Sequence, residues 1–365
     1  MEHHTLNYYA GGNTARGFYS LFESNLIGLE RIFILKGGPG TGKSHIMKKI
    51  ANKWGSRGFN LELIHCASDN SSLDGVIIPQ LKFGIVDGTA PHVIEPQAPG
   101  AIEEYVNLGE AWDSTQLAER RTDILRYQEK IKCAYQNAYD VFASGLTVHD
   151  ELEKIFISEM DIKKANQVTD EILKDLFANV KSTRQQSTIR RRFLGATTPQ
   201  GPVDFLPNIT EGLDKRYFLK GRAGTGKSTI LKKVAKTAES YGFDIEIYHC
   251  GLDPESLDMV LVRELGWAIF DSTAPHEYFP EKPEDEVIDM YEKTITPGTD
   301  EKYADKIEVV ANKYRALEKE GVANLGKAKS LHDELEHIYI DAINFAVIDN
   351  MYEKIEEEIE RLAKS

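Results

Sequence analysis

Gly37-Gly38-Pro39-Gly40-Thr41-Gly42-Lys43-Ser44 and, 184 residues later, Gly221-Arg222-Ala223-Gly224-Thr225-Gly226-Lys227-Ser228 both fit G-x-x-x-x-G-K-[ST], the P-loop pattern. Glycines at these spacings let the backbone turn tightly and aim several N–H groups at phosphate oxygens, and the helix that follows adds the positive end of its dipole. The spacing therefore predicts nucleotide binding by Gly37, Gly38, Gly40, Thr41, Gly42, Lys43 and Ser44, and by Gly221, Gly224, Thr225, Gly226, Lys227, Ser228 and the adjacent Thr229. Lys43 and Lys227 would reach the β- and γ-phosphates, and Ser44 and Ser228 would offer a hydroxyl to Mg²⁺. The flanks agree: Arg31–Lys36 and Lys215–Lys220 read as short buried strands entering the loops, while Ile46, Met47, Ile50 and Ile230, Leu231, Val234 recur at helical spacing after them.

The second loop belongs to a longer repeat. At the same offset Gly17 pairs with Gly201, Gly28-Leu29 with Gly212-Leu213, and Gly58-Phe59 with Gly242-Phe243. Leu61-Glu62-Leu63-Ile64-His65-Cys66 pairs with Ile245-Glu246-Ile247-Tyr248-His249-Cys250, and Asp69 and Ser72-Leu73-Asp74 pair with Asp253 and Ser256-Leu257-Asp258. Asp87-Gly88-Thr89-Ala90-Pro91-His92 returns as Asp271-Ser272-Thr273-Ala274-Pro275-His276. Near the end of each half, His149-Asp150-Glu151-Leu152-Glu153 recurs as His332-Asp333-Glu334-Leu335-Glu336, now offset by 183. The chain is a tandem duplication. Each half reads as strand, P-loop, helix, strand, short crossover, strand and then a long helical tail, over about 113–188 and from about 285 onward. Strands alternating with helices predict an α/β fold of two tandem P-loop domains, 1–190 and 191–365, each a parallel sheet flanked by helices. They are expected to pack as a pseudo-dimer, with the tails forming helical hairpins over the sheet or the nucleotide.

Asp87 and Asp271 end apolar strands 44 residues beyond each P-loop lysine, the place of a carboxylate that holds Mg²⁺ directly or through water. Gly88 and Ser272 follow them where many ATPases carry a glutamate base, so fast hydrolysis is not expected. His92 and His276 lie five residues further on, at strand ends that open toward the ligand crevice of a parallel sheet. They could orient water or sense the γ-phosphate, as could Thr89 and Thr273; alternatively T-A-P-H is a rigid turn. Asp69 and Asp253 either accept a substrate proton or cap turns beside buried Cys66 and Cys250. Thr147 with Asp150, and Ser330 with Asp333, fit a capping box that starts a helix, with His149 and Glu153, like His332 and Glu336, on one face. The run Arg190-Arg191-Arg192 reads as a solvated linker or surface cluster, with Arg16, Arg191 and Arg222 as candidate arginine fingers.

With 365 residues and 41% hydrophobic content, the chain can build two cores. A formal charge of −14 opposes non-specific attraction to nucleic acid. No apolar run is long enough to span a membrane, and Cys66, Cys133 and Cys250 lack zinc-knuckle or disulfide spacing, so a reduced, cytoplasmic protein is expected.

With its paired loops, twin D-x-T-A-P-H strands and repeated H-D-E-L-E helices, the chain resembles a largely uncharacterised bacterial family of tandem P-loop ATPases. The resemblance implies ATP binding on a duplicated P-loop domain. The absence of an N-K-x-D guanine-reading motif also favours ATP over GTP. The expected activity is slow Mg²⁺-dependent ATP hydrolysis coupled to a conformational switch. Its catalytic residues would be Lys43, Asp87, His92, Lys227, Asp271 and His276, its metal ligands Ser44, Asp87, Ser228 and Asp271, and its cofactors ATP and Mg²⁺. A nucleotide or small-molecule kinase and a non-catalytic ATP-bound scaffold, holding a protein partner through the tails, are the alternatives.

Overall fold

The computed structural model describes residues 4–178, 180–183 and 185–364. The first half begins with β1 (Thr5–Tyr9), a hairpin of β2 (Gly11–Thr14) and β3 (Gly17–Ser20), and one turn of helix, α1 (Phe22–Asn25). Then come β4 (Arg31–Lys36), α2 (Lys43–Ser56), β5 (Leu61–His65), β6 (Leu73–Ile78), β7 (Phe83–Asp87) and β8 (Glu103–Asn107). Its tail is α3 (Ser114–Glu119), α4 (Arg121–Ser158) and α5 (Ile162–Leu176). The second half repeats this order with β9 (Ile189–Phe193), β10 (Gly195–Thr198), β11 (Gly201–Asp204), α6 (Leu206–Ile209), β12 (Lys215–Lys220), α7 (Lys227–Tyr241), β13 (Ile245–His249), β14 (Leu257–Val262), β15 (Trp267–Asp271) and β16 (Glu286–Asp289). Its tail is α8 (Met290–Thr294), α9 (Thr299–Lys302), α10 (Ala304–Ile340) and α11 (Phe345–Leu362). No helix of the described residues is long and apolar enough to cross a membrane.

Both halves contribute to one mixed twelve-stranded sheet, ordered β16-β12-β15-β14-β13-β9-β1-β5-β6-β7-β4-β8. The order is palindromic about the β9–β1 seam, where the two strands meet antiparallel at Tyr9 and Phe193. Strands β4, β7 and β8 are parallel neighbours, as are β12, β15 and β16. The fully parallel sheet expected from the sequence is corrected in one strand of each half. The segment read as a short crossover is β6, which pairs antiparallel with both β5 and β7, and β14 does the same. Chain length decides this, since a parallel return needs a dozen or more connecting residues and β6 is joined to β7 only through a turn at Pro79–Leu81. All six residues of β6 are buried, which carries Asp74 into the interior.

The three-arginine run is also corrected: it is strand β9, in the middle of the sheet. Arg191 faces solvent, whereas Arg192 is fully buried. Its guanidinium donates to Glu62 Oε2 at 2.7 Å, to Glu246 Oε2 at 2.8 Å and to Asn25 Oδ1 at 2.9 Å, and it lies over the Tyr8 ring. A buried charge persists only when paired in this way.

On one face of the sheet a core runs across the seam, joining Leu6, Tyr8, Ile34 and Ile64 to Phe218, Tyr248 and Met259. On the other face the tails change sides. Helix α5, capped by Asp161, buries Val168, Ile172 and Leu176 against α7 and the second half-sheet. Helix α11, capped by Asn344, buries Ile348, Ile355 and Ile359 against α2 and the first half-sheet. Between them α4 and α10 run antiparallel: Ile124 meets Leu335 and Ile338 at one end, Phe142 meets Leu325 in the middle, and Ile155 and Phe156 meet Ile307 at the other.

Gly321 lets these helices approach, because a Cβ there would lie 2.1 Å from the buried Phe142 ring. Glycine to alanine inside a helix ordinarily stabilises by up to about 1 kcal/mol. Here the sign reverses, and Gly321→Ala is expected to lower unfolding free energy by about 1–3 kcal/mol. Urea denaturation measures this, and a more stable variant would contradict the described α4–α10 packing.

Candidate functional site

Each glycine-rich loop leaves a strand one place in from an edge of the sheet, β4 or β12, with parallel neighbours on both sides, and ends at a glycine in the left-handed region, Gly42 (φ +82) or Gly226 (φ +87), from which α2 or α7 starts with the lysine. Lys43 Nζ donates to the carbonyls of Gly37 (2.8 Å) and Gly38 (2.9 Å), and Lys227 Nζ to those of Gly221 (3.0 Å) and Arg222 (2.9 Å). Thr41 and Thr225 close the loops by donating their hydroxyls to the carbonyls of Gly38 and Arg222. The β4–β7 register sets Asp87 beside Leu35, and the β12–β15 register sets Asp271 beside Leu219. Asp87 Oδ2 thus lies 3.7 Å from Lys43 Nζ, and Asp271 Oδ2 lies 3.6 Å from Lys227 Nζ. The other oxygen of each carboxylate is held by a threonine two residues on, Thr89 or Thr273. Ser44 Oγ accepts from the Leu73 N–H and Ser228 Oγ from the Leu257 N–H, both at 3.0 Å, while Thr229 is exposed on the first turn of α7.

Behind the lysine and aspartate lies a second layer. Asp74 and Cys66 interact in the first half, and Asp258 and Cys250 in the second. Burial pushes the Asp74 carboxyl up and raises Asp258 to about 6; burial also holds both thiols well above their usual range. Here the halves diverge. His92 is wedged between Phe18 and Phe22 with Nε2 3.3 Å from Asp74 Oδ2. His276 instead turns Nδ1 to Asp204 Oδ2 at 2.7 Å, and Tyr278 donates to the other Asp204 oxygen, also at 2.7 Å. Burial alone would lower His276, but the hydrogen bond to Asp204 and the charges of Asp258, Asp204 and Asp271 together outweigh it, and the net shift is upward. Asp204 and Tyr278 are absent from the sequence reading. Their signal was divergence between the copies, since Ser20 and Ile94 stand at the matching positions.

The H-D-E-L-E segments do not start helices. Thr147 and Ser330 lie inside α4 and α10, and the Thr147 hydroxyl donates back to the Ala143 carbonyl at 3.1 Å. A capping box needs free N–H groups, and a continuous helix has none at these positions. What the segments do is cover the loop of the opposite half. Glu336 Oε1 accepts the Gly40 N–H at 3.1 Å, with Tyr339 against Gly38 and Ile340 against Gly40. A Cβ on Gly224 would lie 2.6 Å from the Glu153 carbonyl oxygen, so the loop glycine is also what admits the other half's helix.

Asp69 behaves as a turn cap, accepting from Ser71 N, Ser71 Oγ and Ser72 Oγ, with Lys329 of the opposite tail 3.6 Å away. The three candidate finger arginines are engaged elsewhere: Arg16 with Asp253 and Glu255, Arg191 with His249, and Arg222 with Asp300. No family model, curated protein or solved structure matches the chain.

Because the Asp258 carboxyl sits above its unfolded value, the stability it contributes is present below about pH 4 and is lost as pH rises through about 6. Asp258→Asn is therefore expected to exceed wild type in stability at pH 7, by an amount of the order of 3 kcal/mol, with the difference closing as pH falls toward 4. Denaturant titrations across that range test this, and a pH-independent difference would refute it.

Proposed function

We propose that the chain binds Mg·ATP at two tandem P-loop sites and hydrolyses it slowly, with the tails transmitting the state of each site to the opposite half. The observation that carries this reading is the same constellation built twice: a lysine at the mouth of a glycine turn, at a helix N-terminus, within 3.7 and 3.6 Å of a strand-end carboxylate. Oxygen donors suit Mg²⁺. Asp87 and Ser44, like Asp271 and Ser228, would hold it, each serine oxygen keeping a second lone pair beyond the one engaged by the backbone. The ion when bound would neutralise charge on the phosphates. Lys43 and Lys227 would exchange loop carbonyls for phosphate oxygens, while the loop N–H groups and the helix ends would orient them. In this reading the chain belongs with the tandem P-loop ATPases.

Gly88 and Ser272 in place of a glutamate base support slow turnover. The coupling rests on Glu336, whose carboxylate accepts from a loop N–H that a phosphate would also seek. A kinase using Asp69 as base has less support, because both oxygens of that carboxylate are taken up by the turn. The three cysteines are unpaired, which fits a reducing compartment.

Calorimetry with Mg·ATP, together with ADP release, tests the proposal. Wild type is expected to bind two equivalents with slow, acceptor-independent turnover, and Lys43→Ala and Lys227→Ala are expected to bind one each while retaining cooperative melting. If either folded variant still binds two equivalents, the assignment of the loops is wrong.

A further inference from the structure

We propose that Cys66, Asp74 and His92 form a site for one divalent transition-metal ion of the zinc class, in the first half alone and independent of nucleotide. These residues come from the end of β5, from β6 and from the turn after β7, and the antiparallel course of β6 brings them together. One donor atom from each lies within 4.8 Å of the other two. His92 Nε2 and Asp74 Oδ2 stand 3.3 Å apart, about the spacing of two ligands held near 2.0 Å from a tetrahedral centre.

The hydrogen bonding points to a ligand. Asp74 is 3% exposed, yet its Oδ2 has no hydrogen-bond partner, and the facing His92 Nε2 lacks the alignment to supply one. His92 Nδ1 is also buried without a partner, so no protein group fixes the tautomer and Nε2 can be the unprotonated donor a metal requires. Edge-on packing by Phe18 and Phe22 holds the ring in place. A thiolate, a carboxylate and a neutral imidazole would balance a divalent charge. The sulfur donor selects zinc-like ions over Mg²⁺, and three protein ligands leave a fourth position for water.

The second half is an internal control. Cys250, Asp258 and His276 are the same residue types at the same spacing, but they do not form such a cluster among the described residues. Asp204 draws His276 away through Nδ1 and is itself fixed by Tyr278. Ser20 and Ile94 stand at the matching first-half positions, and His92 Nδ1 has no partner there.

The full chain, loaded with Zn²⁺ and dialysed without nucleotide, is expected to retain one ion by mass spectrometry of the metal. Co²⁺ in its place should show a thiolate-to-cobalt charge-transfer band. Cys66→Ser and His92→Ala should lose the ion and the band, and Cys250→Ser should keep both. Should the ligand variants fail to fold, wild type decides the matter: one retained Zn²⁺, with a thiolate-to-cobalt band that survives in both Cys250→Ser and Cys133→Ser, leaves Cys66 as the source of the thiolate. Wild type retaining no zinc, an ion that persists in folded Cys66→Ser, or equal loss in Cys250→Ser would each overturn the site.

Discussion

The structure depends on a match of lengths between its two long helices and the separation of its two glycine-rich loops. Strands β4 and β12, which feed the loops, stand nine places apart in the sheet, roughly 43 Å at about 4.8 Å per strand. On α4, Ile124 packs near the first loop and Glu153 covers the second, and that stretch of helix is about 44 Å long at 1.5 Å per residue. Helix α10 makes the reverse journey. A tail half as long could cover only its own half.

The exchange makes the halves mutually dependent. Helix α11 places Ile348, Ile355 and Ile359 in the first half's core, and α5 places Val168, Ile172 and Leu176 in the second's. Each such side chain contributes about 1.5–3 kcal/mol when fully buried. Losing three would remove a large part of the 5–15 kcal/mol that holds an ordinary domain together. Glu336, which accepts from Gly40, is thereby tied through α10 and α11 to the first half's core.

Much of this was legible in the sequence because the determinants are local. Strands before the loops, helices after them and the 184-residue repeat follow from apolar period and glycine placement, as does the approach of Asp87 to Lys43 once β4 and β7 are neighbours. What escaped was set by tertiary context. Strand β6 is buried on every residue and so shows no alternation to mark it as a strand. The Arg192 charge reads as solvated until Glu62 and Glu246, from two distant segments, are seen to converge on it. The exchange of tails was hidden by the duplication itself, since two copies of one pattern leave identical signals whether each tail covers its own loop or its partner's.

Joining the halves in one chain permits what a symmetric pair of identical subunits could not. At the seam Tyr8 and Arg192 occupy equivalent positions, and the guanidinium lies 3.9 Å from the ring centre between the equivalent carboxylates Glu62 and Glu246. Two identical subunits would place either two tyrosines or two arginines there. Two tyrosines would leave Glu62 without its cation and Glu246 with Arg263 alone, and two arginines would crowd like charges at the axis. One of each satisfies both carboxylates with a single buried guanidinium. The same freedom operates where Asp204 replaces Ser20 and Tyr278 replaces Ile94, so that one histidine is fastened and its counterpart is not. At the seam the copies differ where a symmetric arrangement would be electrostatically poor, and that substitution is what makes a charged centre tolerable in the middle of a buried sheet.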